Sequence, residues 1–216
     1  MRRILLTLAA LLLTTSVNAE DLIKYCEDAI YLNNEPSISK CFNNAEVLSP
    51  SQQFEIGNRY ASGDYPPISV KNGWETQHNK PDIEKAIYWL RKAALRGNGN
   101  AAILLAGRYK YGVDVPKSYL DAINFYEIAA KDGVPKASSD LATMYLEGKG
   151  VSKSVFMAYV WDGIALNQRP YPDFHQMVSE EVGNLEKQLS TSEVNKAQQL
   201  IQSCLATKLA KCLHAK

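Results

Sequence analysis

Apolar and small side chains recur along residues 50–168 at two nested spacings, that of a helix and that of a repeat. Within single segments they fall at i, i+4, i+5 and i+8, one face of a 3.6-residue period. The three segments run from Gln52 to Gly63, Ala101 to Gly112 and Ala137 to Gly148. Between segments the frame small-x-x-x-Leu/Ile-small-x-x-Tyr-x-x-Gly returns. Tyr109 and Tyr145 lie 36 residues apart, each followed three positions later by Gly112 or Gly148. A second frame, Ala-x-x-aromatic-x-x-x-Ala, passes through Ala86-Ile-Tyr-Trp89, Ala122-Ile-Asn-Phe125 and Ala158-Tyr-Val-Trp161, again in steps of 36. These frames predict antiparallel helix pairs over 52–62/82–96, 101–111/118–132 and 137–147/154–166. A period of this size belongs to stacked helical hairpins, none of which buries its apolar face alone.

Glycine closes the first helices, as a left-handed C-cap requires. Gly97 and Gly133 end the second helices, whereas Gln168 and Arg169 stand near that point in the third repeat. Repeat one departs further. Gly63 precedes Ala86 by 23 positions, against 10 for Gly112 to Ala122 and Gly148 to Ala158. The 13 extra residues lie in 64–81, whose prolines and Asn72-Gly73 predict a loop carrying Tyr65, Trp74 and His78. Insertions in repeat arrays tend to map to a functional rim.

On the N-terminal side, 21–31 and 37–48 predict a hairpin about Leu32-Asn-Asn-Glu-Pro36, which brings Cys26 level with Cys41 for a disulfide. On the C-terminal side, helices over 172–188 and 191–208 are expected to seal the stack. Ser190 and Glu193 form a capping box there, and Val194, Ala197, Leu200, Ile201 and Leu205 make its apolar stripe. The expected organisation is therefore 1–19 leader, 20–49 hairpin, repeats at 50–98, 99–134 and 135–168, and capping helices at 169–216. The fold class is all-α, an α-solenoid of about three helix pairs with helical elements at both ends.

The leader changes where this array should work. Arg2 and Arg3, the apolar run Ile4 to Leu13 and the small-residue site Val17-Asn-Ala19 read as a secretory signal cut near Ala19, too short to span a bilayer. No cysteine follows the run to take a lipid anchor, so a periplasmic or secreted product is expected. The leader takes two of the 24 basic residues and none of the 23 acidic ones, leaving 22 against 23. That balance gives no general attraction to nucleic acid or anionic membrane. Four cysteines in an exported chain read as disulfides. Cys204 and Cys212 would stand about 12 Å apart on a straight helix, beyond the roughly 7 Å a disulfide allows. Either the helix breaks near 207–209 and they pair, or each bonds elsewhere.

The Leu/Ile-small-x-x-Tyr-x-x-Gly motif, Gly148-Lys-Gly150-Val151 and the Ala-x-x-Trp frame together resemble the Sel-one-like repeat, a relative of the tetratricopeptide repeat, across about 50–168. Repeat two departs where Asp114 replaces the second glycine of the Gly-x-Gly turn. The resemblance implies a right-handed solenoid and a non-enzymatic adaptor, scaffold or partner-binding role. It also implies an inhibitor alternative, an immunity protein neutralising a toxin delivered to the periplasm. Similar Cys-x7-Cys endings in exported members imply that Cys204 pairs with Cys212.

Catalytic chemistry has little footing. His78, His175 and His214 are scattered, without metal-ligand spacing, and no cofactor is expected. Ser37-Ile-Ser-Lys40 matches a penicillin-recognising nucleophile motif, but its companion motifs are missing and Ser37 serves as an N-cap. The partner is another protein, met by a monomer. With tetratricopeptide geometry, the first helices would line a concave surface with columns Phe54/Ile103/Ser139, Asn58/Gly107/Thr143, Ala61/Lys110/Leu146 and Ser62/Tyr111/Glu147. From these and the insertion, Phe54, Asn58, Ser62, Trp74, Lys110, Tyr111, Thr143 and Glu147 are the expected contacts, with Trp74, Lys110 and Tyr111 at the centre.

Overall fold

The computed structural model describes residues 48–63 and 80–213, and among these every regular element is helical. The leader, the N-terminal hairpin with Cys26 and Cys41, and the insertion with Trp74 and His78 lie outside the described residues. Three helix pairs follow one another: α1 (Pro50–Ser62) with α2 (Ile83–Leu95), α3 (Gly99–Tyr111) with α4 (Tyr119–Lys131), and α5 (Pro135–Glu147) with α6 (Val155–Asn167). Each second helix also packs on the first helix of the next pair, and α6 is covered by α7 (Pro172–Glu186) and α8 (Thr191–Ala206). A short α9 (Ala210–Leu213) ends the described chain. This is the expected solenoid of helix pairs.

The periodic residues are the ones that hold it together. Tyr60, Tyr109 and Tyr145 are buried, and Trp89 and Trp161 are fully enclosed. Tyr109 stacks on Phe125 of its partner helix with ring centroids 5.6 Å apart, and Tyr145 interacts with Trp161 of its own. Ala86, Ala122 and Ala158 have no exposed surface, and neither do Ala93, Ala129 and Ala165. Small columns of this kind let helix axes approach closely. In repeat one the column holds Gly57, where an added Cβ would meet the Leu90 side chain at 2.9 Å.

Each pair is also clamped at both ends. At the turn, the backbone N–H of the N-cap residue of the second helix donates to the carbonyl of the repeat tyrosine. These bonds are Asp82 to Tyr60, Ser118 to Tyr109 and Ser154 to Tyr145, all at 3.0 Å. At the open end, three unlike side chains in one column do the same work. Arg96 donates to the Leu48 carbonyl, Asp132 accepts from the Gly99 N–H at 2.8 Å, and Gln168 accepts from the Ser138 hydroxyl at 2.8 Å. Gln168 also donates to the Ala130 carbonyl at 2.6 Å, tying repeat three to repeat two.

Two departures from the glycine pattern are absorbed locally. Arg169 holds φ 55°, the left-handed position that Gly97 and Gly133 occupy in the earlier repeats. Asp114 holds φ 62° where Gly150 sits a repeat later, and its carboxylate pairs with Arg108. Aspartate tolerates the left-handed region better than most residues.

The tail follows its sequence signals. Ser190 and Glu193 close a capping box on α8. The helix stops at Thr207, after which Lys208 and Leu209 take left-handed φ of 47° and 65°. That reversal brings the Cα atoms of Cys204 and Cys212 to 5.5 Å, and the two are disulfide-bonded and buried. Closing a loop of this length restricts the unfolded chain by about 2.5 kcal/mol. The Cys204→Ala, Cys212→Ala variant is expected to lose about that much stability in urea unfolding while keeping its helical circular dichroism.

Candidate functional site

The first helices α1, α3 and α5 bury one face against the second helices and leave one stripe open. In α3 the open positions are Leu104, Gly107, Arg108 and Tyr111, with Leu104 44% and Tyr111 69% exposed. Counterparts on α1 are Glu55, Asn58, Arg59 and Ser62, and on α5 they are Asp140, Thr143 and Glu147. Two expected columns, Asn58/Gly107/Thr143 and Ser62/Tyr111/Glu147, therefore do lie on the open side. Ser62 and Glu147 are exposed, while Asn58 and Thr143 are half-buried. The Thr143 hydroxyl is turned back to the Ser139 carbonyl at 3.2 Å. Phe54 and Ile103 are half-buried and pack against the core, so their column is part packing surface.

Lys110 needs a correction. It is buried, 8% exposed, and is not a free cation on the open face. Its ammonium lies 3.3 Å from the Asp140 carboxylate of the next first helix and 5.5 and 5.9 Å from the rings of Tyr111 and Tyr126. Asp140 also takes Lys136 at 2.8 Å, and it interacts with the Tyr126 hydroxyl, whose pKa is raised by burial first and by Asp140 second. The lysine thus buttresses Tyr111 from below and joins α3 to α5. Its part in the site is support.

Leu104 went unnoticed because it sits in the run Ile103-Leu104-Leu105, where a single apolar residue on the wrong face is hidden by two on the right one. Leu104 and Tyr111 are seven positions apart, two turns of one face. Gly107 lies between them, and a Cβ built there would meet nothing within 4 Å among the described residues. Glycine costs an exposed helix roughly 1 kcal/mol relative to alanine. Here neither packing nor backbone geometry calls for it, so its effect is an apolar notch between Leu104 and Tyr111. Charges around the notch are already paired: Glu55 with Arg59 at 3.2 Å, Arg108 with Asp114, and Glu147 with Lys149 at 3.0 Å.

Beside this face lies a buried carboxylate. Asp162 on α6 is 2% exposed, accepts a hydrogen bond from Ser139, and has one oxygen without a partner among the described residues. Burial pushes its pKa to about 7, against the Ser139 hydrogen bond and with help from Glu181 on α7. His175 is exposed on α7, with Nδ1 3.3 Å from the Ser179 hydroxyl one turn on. Among the described residues, no three His, Cys, Asp or Glu side chains gather as a metal site. No described helix is long and apolar enough to cross a membrane. An open groove lies at the C-terminal end, between α6, α7 and α8.

The model of the Sel1 repeat matches residues 80–98, 99–134 and 135–161. A 74-residue stretch is 38% identical to HRD3B of Arabidopsis thaliana, described as an ERAD-associated E3 ubiquitin-protein ligase component; the match covers 34% of this chain and 11% of that protein. Among solved structures, a Sel1 repeat protein from Oxalobacter formigenes is 28% identical with a TM-score of 0.53, over 68% of this chain and 97% of that one. The protective antigen c5321 of uropathogenic Escherichia coli, displaying an SLR fold, is 29% identical with a TM-score of 0.48, over 71% of this chain and 26% of that one.

Two stability measurements check the electrostatics of the site. Asp140→Ala strands the buried Lys110 and should cost about 3 kcal/mol. Lys110→Met leaves Asp140 paired with Lys136 and should cost only about 1 kcal/mol. Urea unfolding at neutral pH compares them, and equal losses would contradict the support role. Asp162 makes a separate prediction with a sign. Its folded pKa lies above the ordinary aspartate value, so the folded state binds its proton more tightly than the unfolded chain does. No penalty exists below about pH 4; it grows as pH rises toward 7 and is complete above. Asp162→Asn should therefore match the parent near pH 4 and exceed it near pH 8, by on the order of 3 kcal/mol.

Proposed function

We propose that this chain, a Sel1-repeat protein over residues 80–161, is a non-enzymatic binding module that takes a partner protein on the open face of its first helices. Sel1-repeat proteins bind other proteins, and the related HRD3B is itself named a component of a larger ligase. The observation that carries the reading is the notch of Leu104, Gly107 and Tyr111. The fold spends two large apolar side chains and an unneeded glycine there, inside a rim of charges that already neutralise one another. An apolar centre ringed by paired polar groups is where binding energy concentrates, often about 2 kcal/mol or more for a buried tyrosine. The partner presents an apolar side chain to the notch. Trp74 on the insertion is the second aromatic contact, while Asn58, Ser62, Thr143 and Glu147 supply the polar margin.

The finer reading is an adaptor working in the periplasm or outside the cell. The leader residues Arg2, Arg3, the run Ile4 to Leu13 and Val17-Asn-Ala19 support export. The inhibitor alternative would use the same notch against a toxin, and stoichiometric loss of a toxin's activity on mixing would distinguish it.

A photo-crosslinking amino acid at position 104, introduced in the producing cell, is expected to trap one protein. The same amino acid at position 124, exposed on the second helix α4, is expected to trap none. Tyr111→Ala should remove the crosslink and weaken the isolated complex by roughly 30-fold. Equal crosslinking from both positions would refute the site.

A further inference from the structure

We infer that the groove between α6, α7 and α8 is a second binding site, and that it takes an extended, uncharged segment of polypeptide. The groove is distinct from the first-helix face and is built from a different pattern. Its floor is apolar, made by Tyr159 and Leu166 of α6, Val182 of α7 and Ile201 of α8. Its edge is a row of primary carboxamides on α8: Asn195, Gln198, Gln199 and Gln202. Spacings of three, four and seven put these four on one face of the helix. None of the four makes a side-chain hydrogen bond to another described residue, so their donors and acceptors face outward unused. Among the described residues, no charged side chain lines the groove.

Each carboxamide offers two N–H donors and an acceptor oxygen, so it can pair with both the C=O and the single N–H of a peptide group. From Asn195 to Gln202 the helix rises about 10 Å, close to the length of three residues of extended chain. A strand laid along α8 therefore pairs its main-chain N–H and C=O groups with the carboxamides. Its alternate side chains point down to the apolar floor. Absence of charge from the lining selects against acidic or basic segments, which would be desolvated without a counter-ion. A sugar fits less well, since the aromatic of the floor, Tyr159, is only 4% exposed and presents no open ring face. At its base α6 and α8 are closely packed: a Cβ on Gly163 would lie 2.4 Å from the Ile201 Cδ1 methyl.

The test is selection of a random twelve-residue phage-displayed peptide library on the full chain. Counter-selection uses the Gln198→Lys, Gln202→Lys variant, both positions being exposed. Enriched peptides are expected to be poor in Asp, Glu, Lys and Arg. They should bind the parent at least tenfold more tightly than the variant and shift the side-chain NH2 resonances of Gln198, Gln199 and Gln202. Tyr111→Ala should leave this binding unchanged, which separates failure here from failure of the first-helix site. The inference is overturned by charged consensus peptides, by peptides indifferent to the variant, or by no enrichment. It is overturned equally if the groove serves a second copy of the chain, seen as concentration-dependent dimerisation that the variant abolishes without any peptide bound. Circular dichroism of the variant must match the parent. Should it unfold, Gln198→Glu alone replaces it with the same expected tenfold loss.

Discussion

Two clamps hold each helix pair shut, and the stacking of the repeats depends on them. One joins the repeat tyrosine's carbonyl to the N-cap of the second helix at 3.0 Å in all three pairs. The other fastens the far end through Arg96, Asp132 or Gln168. A pair held at both ends has its inter-helix distance fixed, and alanine columns with no exposed surface then become a fit instead of a void. The next first helix docks on a face whose shape is already set. Side chains such as Lys110 and Asp140, thirty positions apart, meet in an ion pair between the neighbouring first helices that this stacking places side by side.

The same hierarchy of contacts explains what the sequence revealed. Positions whose role repeats with the period were readable: the buried tyrosines, the enclosed tryptophans and the alanine columns. So were features settled within a turn of helix, such as the Ser190–Glu193 capping box. Harder to read were roles that arise once, between repeats. Lysine reads as a surface residue, and nothing near Lys110 in the chain announces Asp140. The column of Arg96, Asp132 and Gln168 shares no chemistry, so no motif could expose it. Leu104 was masked by apolar neighbours, and the carboxamide row on α8 passed for the ordinary outside of a capping helix.

The exposed parts of both candidate surfaces consist of residues outside the core, although the groove floor shares Tyr159 and Ile201 with it. The core takes the period-locked aromatics, while Leu104, Tyr111 and the α8 carboxamides stand outside it. This division separates stability from recognition in the same helices. Asp162 crosses the line: buried and half-satisfied, it costs stability near neutral pH, beside a face proposed for binding.

The turn clamp has a further consequence for the chain's future. Repeat one leaves the Tyr60 carbonyl and returns at Asp82 after 22 positions, where the other repeats take 9, yet the hydrogen bond is the same length. The 13 added residues cost only about 0.8 kcal/mol of closure entropy. Such a junction is a socket: sequence can be exchanged between those two backbone atoms while the scaffold beneath stays as it is. Lineages could rewrite specificity there without touching the core, and an engineer could graft a foreign epitope at 64–79 on the same terms.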